Sequence, residues 1–295
     1  MIMYDIAVIG AGPAGIAASI YLKRAGYKAV LFERETVGGL LRNANHVENY
    51  PGFPEGINGQ EITKLFRQQL ITHGISVTKA NVERVSKIPG GYLLQCPRTR
   101  FIARCVIVST GTIPRKISLR GLSGLPANIV NYDIVHMPIK LKGKCILIIG
   151  GSDASFDYAL TCSERNAYVI ILHRLQKPKC LKLLETRVRL NKKIKVLKNC
   201  EPISVIRKQK GIALTFLNGY EKKNIEADYL LIACGREPNI SILSRDIKHK
   251  ISNGSDISGL YICGDARGGF RQSGIAVGDG LRIAMTVCKY LEDLY

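Results

Sequence analysis

Uninterrupted apolar runs alternate along the chain with stretches whose apolar residues recur every three or four positions. DIAVIG at 5–10 is apolar nearly throughout, AGPAG at 11–15 is a glycine turn, IAASIYLKRAG to 26 has helical spacing, and KAVLFE at 28–33 is apolar again. Such strands imply a parallel sheet covered on both faces. A Gly- and Asn-rich loop follows at 38–59, and QEITKLFRQQLITHG then returns to helical spacing. NVERVSKI and GYLLQC, on either side of Pro89-Gly90-Gly91, predict a β-meander, and FIARCVIVSTG at 101–111 predicts a buried strand.

The same order restarts at 145, where CILIIGGSDASFDYALTCSERNAYVIILHR repeats strand, glycine turn, helix and strand. ADYLLIACGREPN at 227–239 echoes VIVSTGTIP at 106–114, and the final block from Gly259 predicts a strand and a long helix. The expected fold is α/β, with two Rossmann-like dinucleotide-binding domains, the second inserted in the first. The expected boundaries are 1–113 and 239–295 for the outer domain and 114–238 for the insert.

Composition narrows this further. Apolar residues make up 46% of the 295 residues and charged residues 22%, which excludes a disordered chain. The longest apolar runs are strand-sized, so no membrane partner is expected, and Met1 to Asp5 carries no basic leader. The nine cysteines, at 96, 105, 145, 162, 180, 200, 234, 263 and 288, form no CxxC and lie mostly in apolar runs, as reduced core thiols do in a cytoplasmic protein. The formal charge is +20, and residues 172–195 hold nine basic residues and one acid, Glu185. That field suits a phosphorylated cofactor or an acidic protein partner; nucleic acid is not expected, because no binding motif accompanies the charge. Met137 and Met285 read as packing residues.

In Gly10-Ala11-Gly12-Pro13-Ala14-Gly15, Gly10 permits the tight turn, Gly12 a close approach of backbone to a pyrophosphate, and Gly15 close helix packing. Glu33 ends the next strand, 18 residues past Gly15, where its carboxylate accepts from a ribose hydroxyl. Gly264-Asp265 ends a later strand, and Gly268 to Gln272 leads into an apolar helix whose N-terminus suits the flavin O2 and N1 region, favouring FAD over NAD.

Together with GGLLRNANHVENYPGFP at 38–54, STGTIPR at 109–115, HR at 173–174, GREPN at 235–239 and GDARGGFRQSGIAVGDG at 264–280, these motifs resemble the low-molecular-weight thioredoxin reductase family. The resemblance covers essentially the whole chain and implies a homodimeric FAD protein with an inserted NAD(P)-type domain. It implies FAD contacts from Arg34, Gly39, Leu40, Asn49, Val82, Thr110 and Gly111, and from Arg271, Gln272 and Ser273 at the start of the last helix.

Two departures from that pattern bear on chemistry. The family's redox CxxC precedes the second glycine fingerprint, and its cysteine places fall here on Asp133 and His136, so a dithiol relay is excluded. Asp133 and His136 are therefore candidate catalytic residues, His136 giving a proton to substrate and Asp133 setting its tautomer or pKa; the plainer alternative is a turn cap and an ordinary loop histidine. The second fingerprint reads Gly150-Gly151-Ser152-Asp153-Ala154-Ser155, and the family's basic HRRxxxR becomes His173-Arg174 with Lys179 in the last place. NADPH binding, NADH binding and loss of nicotinamide binding all stay open. The expected function is an FAD-dependent oxidoreductase passing electrons between NAD(P)H or a protein donor, such as an acidic ferredoxin or flavodoxin, and a non-dithiol acceptor. The alternative is an FAD-containing binding or regulatory protein.

Overall fold

The computed structural model describes residues 3–294. Its elements run β1 (Met3–Ile9), α1 (Pro13–Arg24), β2 (Ala29–Glu33), α2 (Gly59–Thr72), β3 (Val77–Lys79), β4 (Arg84–Ile88), β5 (Gly91–Gln95), β6 (Arg100–Val108) and β7 (Thr112–Pro114). They continue β8 (Val130–Asn131), β9 (Cys145–Ile149), α3 (Asp153–Glu164), β10 (Tyr168–Leu172), α4 (Lys182–Leu190), β11 (Ile194–Leu197), β12 (Cys200–Arg207), β13 (Ile212–Asn218), β14 (Glu221–Ala227) and β15 (Tyr229–Ile232). The chain closes with β16 (Arg236–Pro238), α5 (Arg245–Ser252), β17 (Leu260–Ile262) and α6 (Ser273–Glu292). These residues divide into two compact units, one of 3–42, 47–113 and 237–294, the other of 43–46 and 114–236. Residues 43–46, read from sequence as part of the outer domain, go with the insert because Asn43 and Asn45 donate to Asp133, Asp157 and Glu164.

In the first unit the strand order is β3-β2-β1-β6-β5-β4. β1 runs parallel to β2 and β6, and the long β6 pairs with β5 through its first half and with β17 through its last three residues. The two faces of β1 explain its uninterrupted apolar sequence. Ile6 and Val8 pack under α1 and α6, whereas Ala7 and Ile9 pack with Tyr92 and Leu94 of the meander and with Ile247 of α5.

The second unit repeats this plan, with strand order β11-β10-β9-β15-β8 and a separate antiparallel sheet β12-β13-β14. Ile146 and Ile148 pack with Phe156 and Ala159 of α3, and Leu147 and Ile149 pack with Val205, Leu214 and Phe216 of the three-stranded sheet. The fold is therefore α/β and Rossmann-like in both units, with α1 and α6 on one face of the first sheet and α3 on one face of the second. Met137 is buried, as expected of a packing residue. Met285 is not: it lies 54% exposed on the outer side of α6, because Ile283, Ala284 and Val287 take the inward positions. Among the described residues, no helix is long and apolar enough to cross a membrane.

Candidate functional site

The first glycine turn is built by close approach. Gly10 donates to Phe32 O at 2.8 Å and has φ +105, and a Cβ there would stand 2.4 Å from Ser109 O. A Cβ on Gly15 would stand 1.9 Å from Gly10 O and 2.6 Å from Ser109 Oγ. The Ser109 hydroxyl lies beneath the turn, within hydrogen-bond reach of both Ile9 O and Gly10 O. Gly12 is the N-cap of α1 and carries no capping side chain; Pro13 follows as the first helical residue, and nothing lies within 4 Å of where a Gly12 Cβ would be. The helix thus presents the amides of Ala14 and Gly15, with its positive dipole end, to open space suited to a pyrophosphate. Gly39 backs onto this opening, its would-be Cβ 3.2 Å from Gly12 Cα, with Leu40 half-buried beside it.

Glu33 accepts from the Ala11 and Glu35 amides, each at 2.8 Å, which fixes the carboxylate beside the turn while leaving acceptor capacity for a ribose. Arg34 is exposed and pairs with Glu35. Val82 is buried in the core, so its backbone is what it offers a ligand.

The C-terminal motif meets this turn. The would-be Cβ of Gly264 lies 2.8 Å from Ala14 Cβ, and that of Gly280 lies 2.1 Å from Ala14 O, so α6 packs against α1 at the level of the fingerprint. Asp279 accepts from the Gly264 amide at 2.8 Å and pairs with Arg267 and Arg282, holding the short 3-10 turn Gly264–Arg267 that carries Asp265. Asn49 donates to Gln272 Oε1 at 2.9 Å, joining two residues far apart in sequence. Gln272 is the N-cap of α6 and caps no amide, so with Arg271 exposed and Ser273 half-buried, a second helix N-terminus stands open. Thr110 and Gly111 both bond the Asn239 backbone. An open cradle at Gly12 and two uncapped helix ends fit the long, anionic FAD.

The second turn keeps the geometry and exchanges the side chains. Gly150 donates to Leu172 O, has φ +149, and its would-be Cβ lies 2.4 Å from Ala233 O. Lys179 N–H donates to Gly151 O at 2.7 Å, as Gly38 N–H donates to Ala11 O at 2.8 Å in the first turn. Ser109 and Ala233 are matching positions, each donating its amide to the residue before the turn's first glycine, Ile9 or Ile149. The first unit has the hydroxyl on the strand (Ser109) and glycine on the helix (Gly15); the second has alanine on the strand and the hydroxyl on the helix, Ser155, with Oγ 2.5 Å from the would-be Cβ of Gly150.

Ser152 adds what Gly12 lacks. It forms a capping box with Ser155, whose Oγ accepts from the Ser152 amide at 3.3 Å. Asp153 accepts from Leu181 N–H at 2.8 Å, and Ala154 is exposed. His173 is 4% exposed, its ring against Gly151, and neither ring nitrogen has a hydrogen-bond partner. Burial, with help from Lys198, pulls its pKa below the ordinary value and keeps it neutral. Arg174 and Lys179 are exposed, and the latter's backbone bridges to Ser152. Orphaned ring nitrogens, two cations and a retained turn fit a nucleotide.

Asp133 and His136 stand in different settings. Asp133 is 8% exposed, and its Oδ1 accepts from Arg236 Nη1 at 2.9 Å, Asn43 Nδ2 at 3.1 Å and Tyr158 OH at 3.4 Å. Asn43 Oδ1 in turn accepts from the Val135 amide, bracketing the one-turn 3-10 helix Ile134–His136. The His136 side chain is exposed at the end of that turn. Asn43, Tyr158 and Arg236 could not be found as Asp133 partners from sequence, since they are brought together only by the fold.

All nine cysteines are unbonded, and burial pushes every one of their pKa values up: Cys105, Cys162 and Cys263 to about 12, Cys180 to about 11. Neutral thiols are poor nucleophiles, and none here is poised for exchange. Among the described residues, no cluster of three or more His, Cys, Asp or Glu side chains is arranged to hold a metal.

The family model described as pyridine nucleotide-disulphide oxidoreductase matches residues 4–280. The chain is 28% identical to thioredoxin reductase of Bacillus subtilis, covering 99% of this chain and 96% of that one. It is also 28% identical to NADPH-dependent thioredoxin reductase 3 of Arabidopsis thaliana, over 98% of this chain, but it spans only 59% of that relative's length. Among solved structures, Lactococcus lactis thioredoxin reductase superposes with a TM-score of 0.90 at 27% identity, covering 98% of this chain and 99% of the other. That of T. acidophilum gives 0.86 at 26% identity, covering 99% of each. With the family model running through both glycine turns and no CxxC at any of the nine cysteines, the chain belongs to the pyridine nucleotide-disulphide oxidoreductases, as a thioredoxin-reductase-like FAD oxidoreductase without the active-site dithiol.

Proposed function

We propose that this enzyme carries electrons from NADPH through FAD to an acceptor outside the chain, an acidic one-electron carrier of the ferredoxin or flavodoxin kind. The supporting observation is that an open FAD cradle coexists with nine buried or half-buried thiols of raised pKa, none in a disulfide. When bound, the nicotinamide supplies a hydride and the flavin accepts it and releases electrons onward.

The remaining work falls to the side chains. Gly12, Ala14 and Gly15 would seat the FAD pyrophosphate, Glu33 would take its ribose, and the Gln272–Ser273 helix end would supply positive dipole character to the flavin. Arg174 and Lys179 meet the extra phosphate that distinguishes NADPH from NADH. Asp133, tied to Arg236, is a positioning residue that holds the Ile134–His136 turn through Asn43, and His136, exposed at the end of that turn, takes up the proton released when electrons leave singly for the carrier. Leu281 and Met285, four residues apart on α6, and the 89%-exposed Phe270 before it give an apolar face suited to a homodimer. Nine unbonded thiols suit the cytoplasm.

The capping box at Ser152 favours a second reading, an FAD-bearing binding or regulatory protein. Anaerobic mixing of the FAD-loaded protein with NADPH separates the two. Rapid bleaching of the flavin followed by turnover with ferricyanide or a ferredoxin, but not with thioredoxin or an aromatic disulfide, is the expected result. Disulfide reduction abolished by thiol alkylation would overturn the external-acceptor reading, and a flavin left oxidised by NADPH would favour the second. His136→Ala should lower turnover, and turnover left unchanged from about pH 5 to about pH 9 would remove His136 from the reaction.

A further inference from the structure

The face of α4 in the inserted unit has two faces of opposite character. Leu184 and Val188, four residues apart, turn inward onto the core around Phe156. Leu183 and Leu190, seven residues apart and so on one helix face, are 50% and 73% exposed, and Leu181 at the N-cap is also exposed. Single exposed leucines are unremarkable, but three within ten positions form a patch of the kind that marks an interface. Lys182, Arg189 and Lys192, their neighbours in sequence, are exposed, and among the described residues none of the three is paired with a carboxylate. The single acid of the segment, Glu185, is half-buried on the helix. These cations are additional to Arg174 and Lys179, which lie on the loop bridging to the glycine turn.

We propose that this leucine-centred, cation-rimmed face of α4 is the docking surface for the acidic electron carrier, an inference that rests on the external-acceptor reading above. An apolar centre excludes water while the rim steers a negatively charged partner and sets its register. A nucleic acid would engage the cations without using the leucines, whereas an acidic protein with an apolar contact patch uses both.

The test is binding of an oxidised acidic ferredoxin to the FAD-loaded enzyme, measured by titration calorimetry at low and high salt. The expected result is a dissociation constant that rises with salt, about tenfold or more for Lys182→Glu with Arg189→Glu, and comparably for Leu183→Asp with Leu190→Asp. Exposed Lys64→Glu on the other unit should change it little, and unchanged thermal unfolding of each variant excludes misfolding as the cause. Loss with the charge reversals but not with the leucine replacements would overturn the docking patch in favour of long-range attraction alone. Carrier affinity unchanged in both double variants would overturn the docking face while leaving the external-acceptor reading intact. A wild-type enzyme that reduces ferricyanide yet neither binds nor reduces the carrier would overturn the acidic-carrier reading itself.

Discussion

The two glycine turns share a backbone and differ in what stands on it. In both, the first glycine is pressed against a carbonyl of the neighbouring strand, and the second residue's carbonyl accepts from the loop after the next strand. In the first turn three glycines and an uncapped helix leave backbone amides to do the binding. In the second, Ser152 and Ser155 cap the helix themselves, and the groups offered beside the turn are the side chains of His173, Arg174 and Lys179. The Ser155 change looks like damage to a fingerprint, yet it is one half of an exchange whose other half is Ala233 in place of Ser109. Each turn thus holds one hydroxyl at this spot, on the strand side in the first and on the helix in the second.

Substitutions can break or sharpen the contrast. The largest effect is expected for Gly15→Ala. Its Cβ meets Gly10 O with no room to move, so the variant should lose about 3 kcal/mol of stability and its flavin absorbance on gel filtration. The matching position of the second turn already carries a side chain.

The helices behind the turns differ next. α3 carries half-buried Asp157, whose pKa is pushed up to about 6 by desolvation and by Glu164 and Asp153, against the pull of the Asn45 amide and His46. A carboxyl with a raised folded pKa binds protons more tightly folded than unfolded, so its contribution to stability falls as pH rises from about 4 to about 6 and stays unfavourable above. Asp157→Asn should therefore raise stability near pH 7 by up to about 3 kcal/mol, with no gain near pH 3, as denaturant unfolding at the two pH values will show.

Smaller effects address nucleotide choice and the hydroxyl exchange. Arg174→Ala and Lys179→Ala should each weaken NADPH binding about tenfold, roughly 1.4 kcal/mol, and leave NADH binding nearly unchanged. Ser155→Ala should cost about 1 kcal/mol, and Ser155→Gly combined with Ala233→Ser should return most of it by rebuilding the first turn's arrangement. A double variant no more stable than Ser155→Gly alone would contradict the exchange.

What the sequence shows and what it hides follow from locality. The first turn, Glu33, the repeat at 145 and the GD motif are contiguous patterns whose chemistry depends on neighbours in sequence, and they were legible. The partners of Asp133 come from residues 43, 158 and 236, and no periodicity announces them. The Ser155–Ala233 exchange is visible only once β15 is known to lie beside β9. Met285 misled because apolar spacing on α6 is shared between an inward face and an outer one. Residues 43–46 sit within a loop whose flanks belong elsewhere, and short asparagine side chains, not apolar pattern, assign them.

The central claim is that the flavin has no thiol pair with which to share electrons. Anaerobic reductive titration of the FAD-loaded enzyme counts them directly. Complete reduction at about two electron equivalents per FAD is predicted, and an uptake of about four, with a thiol-linked intermediate, would contradict the account.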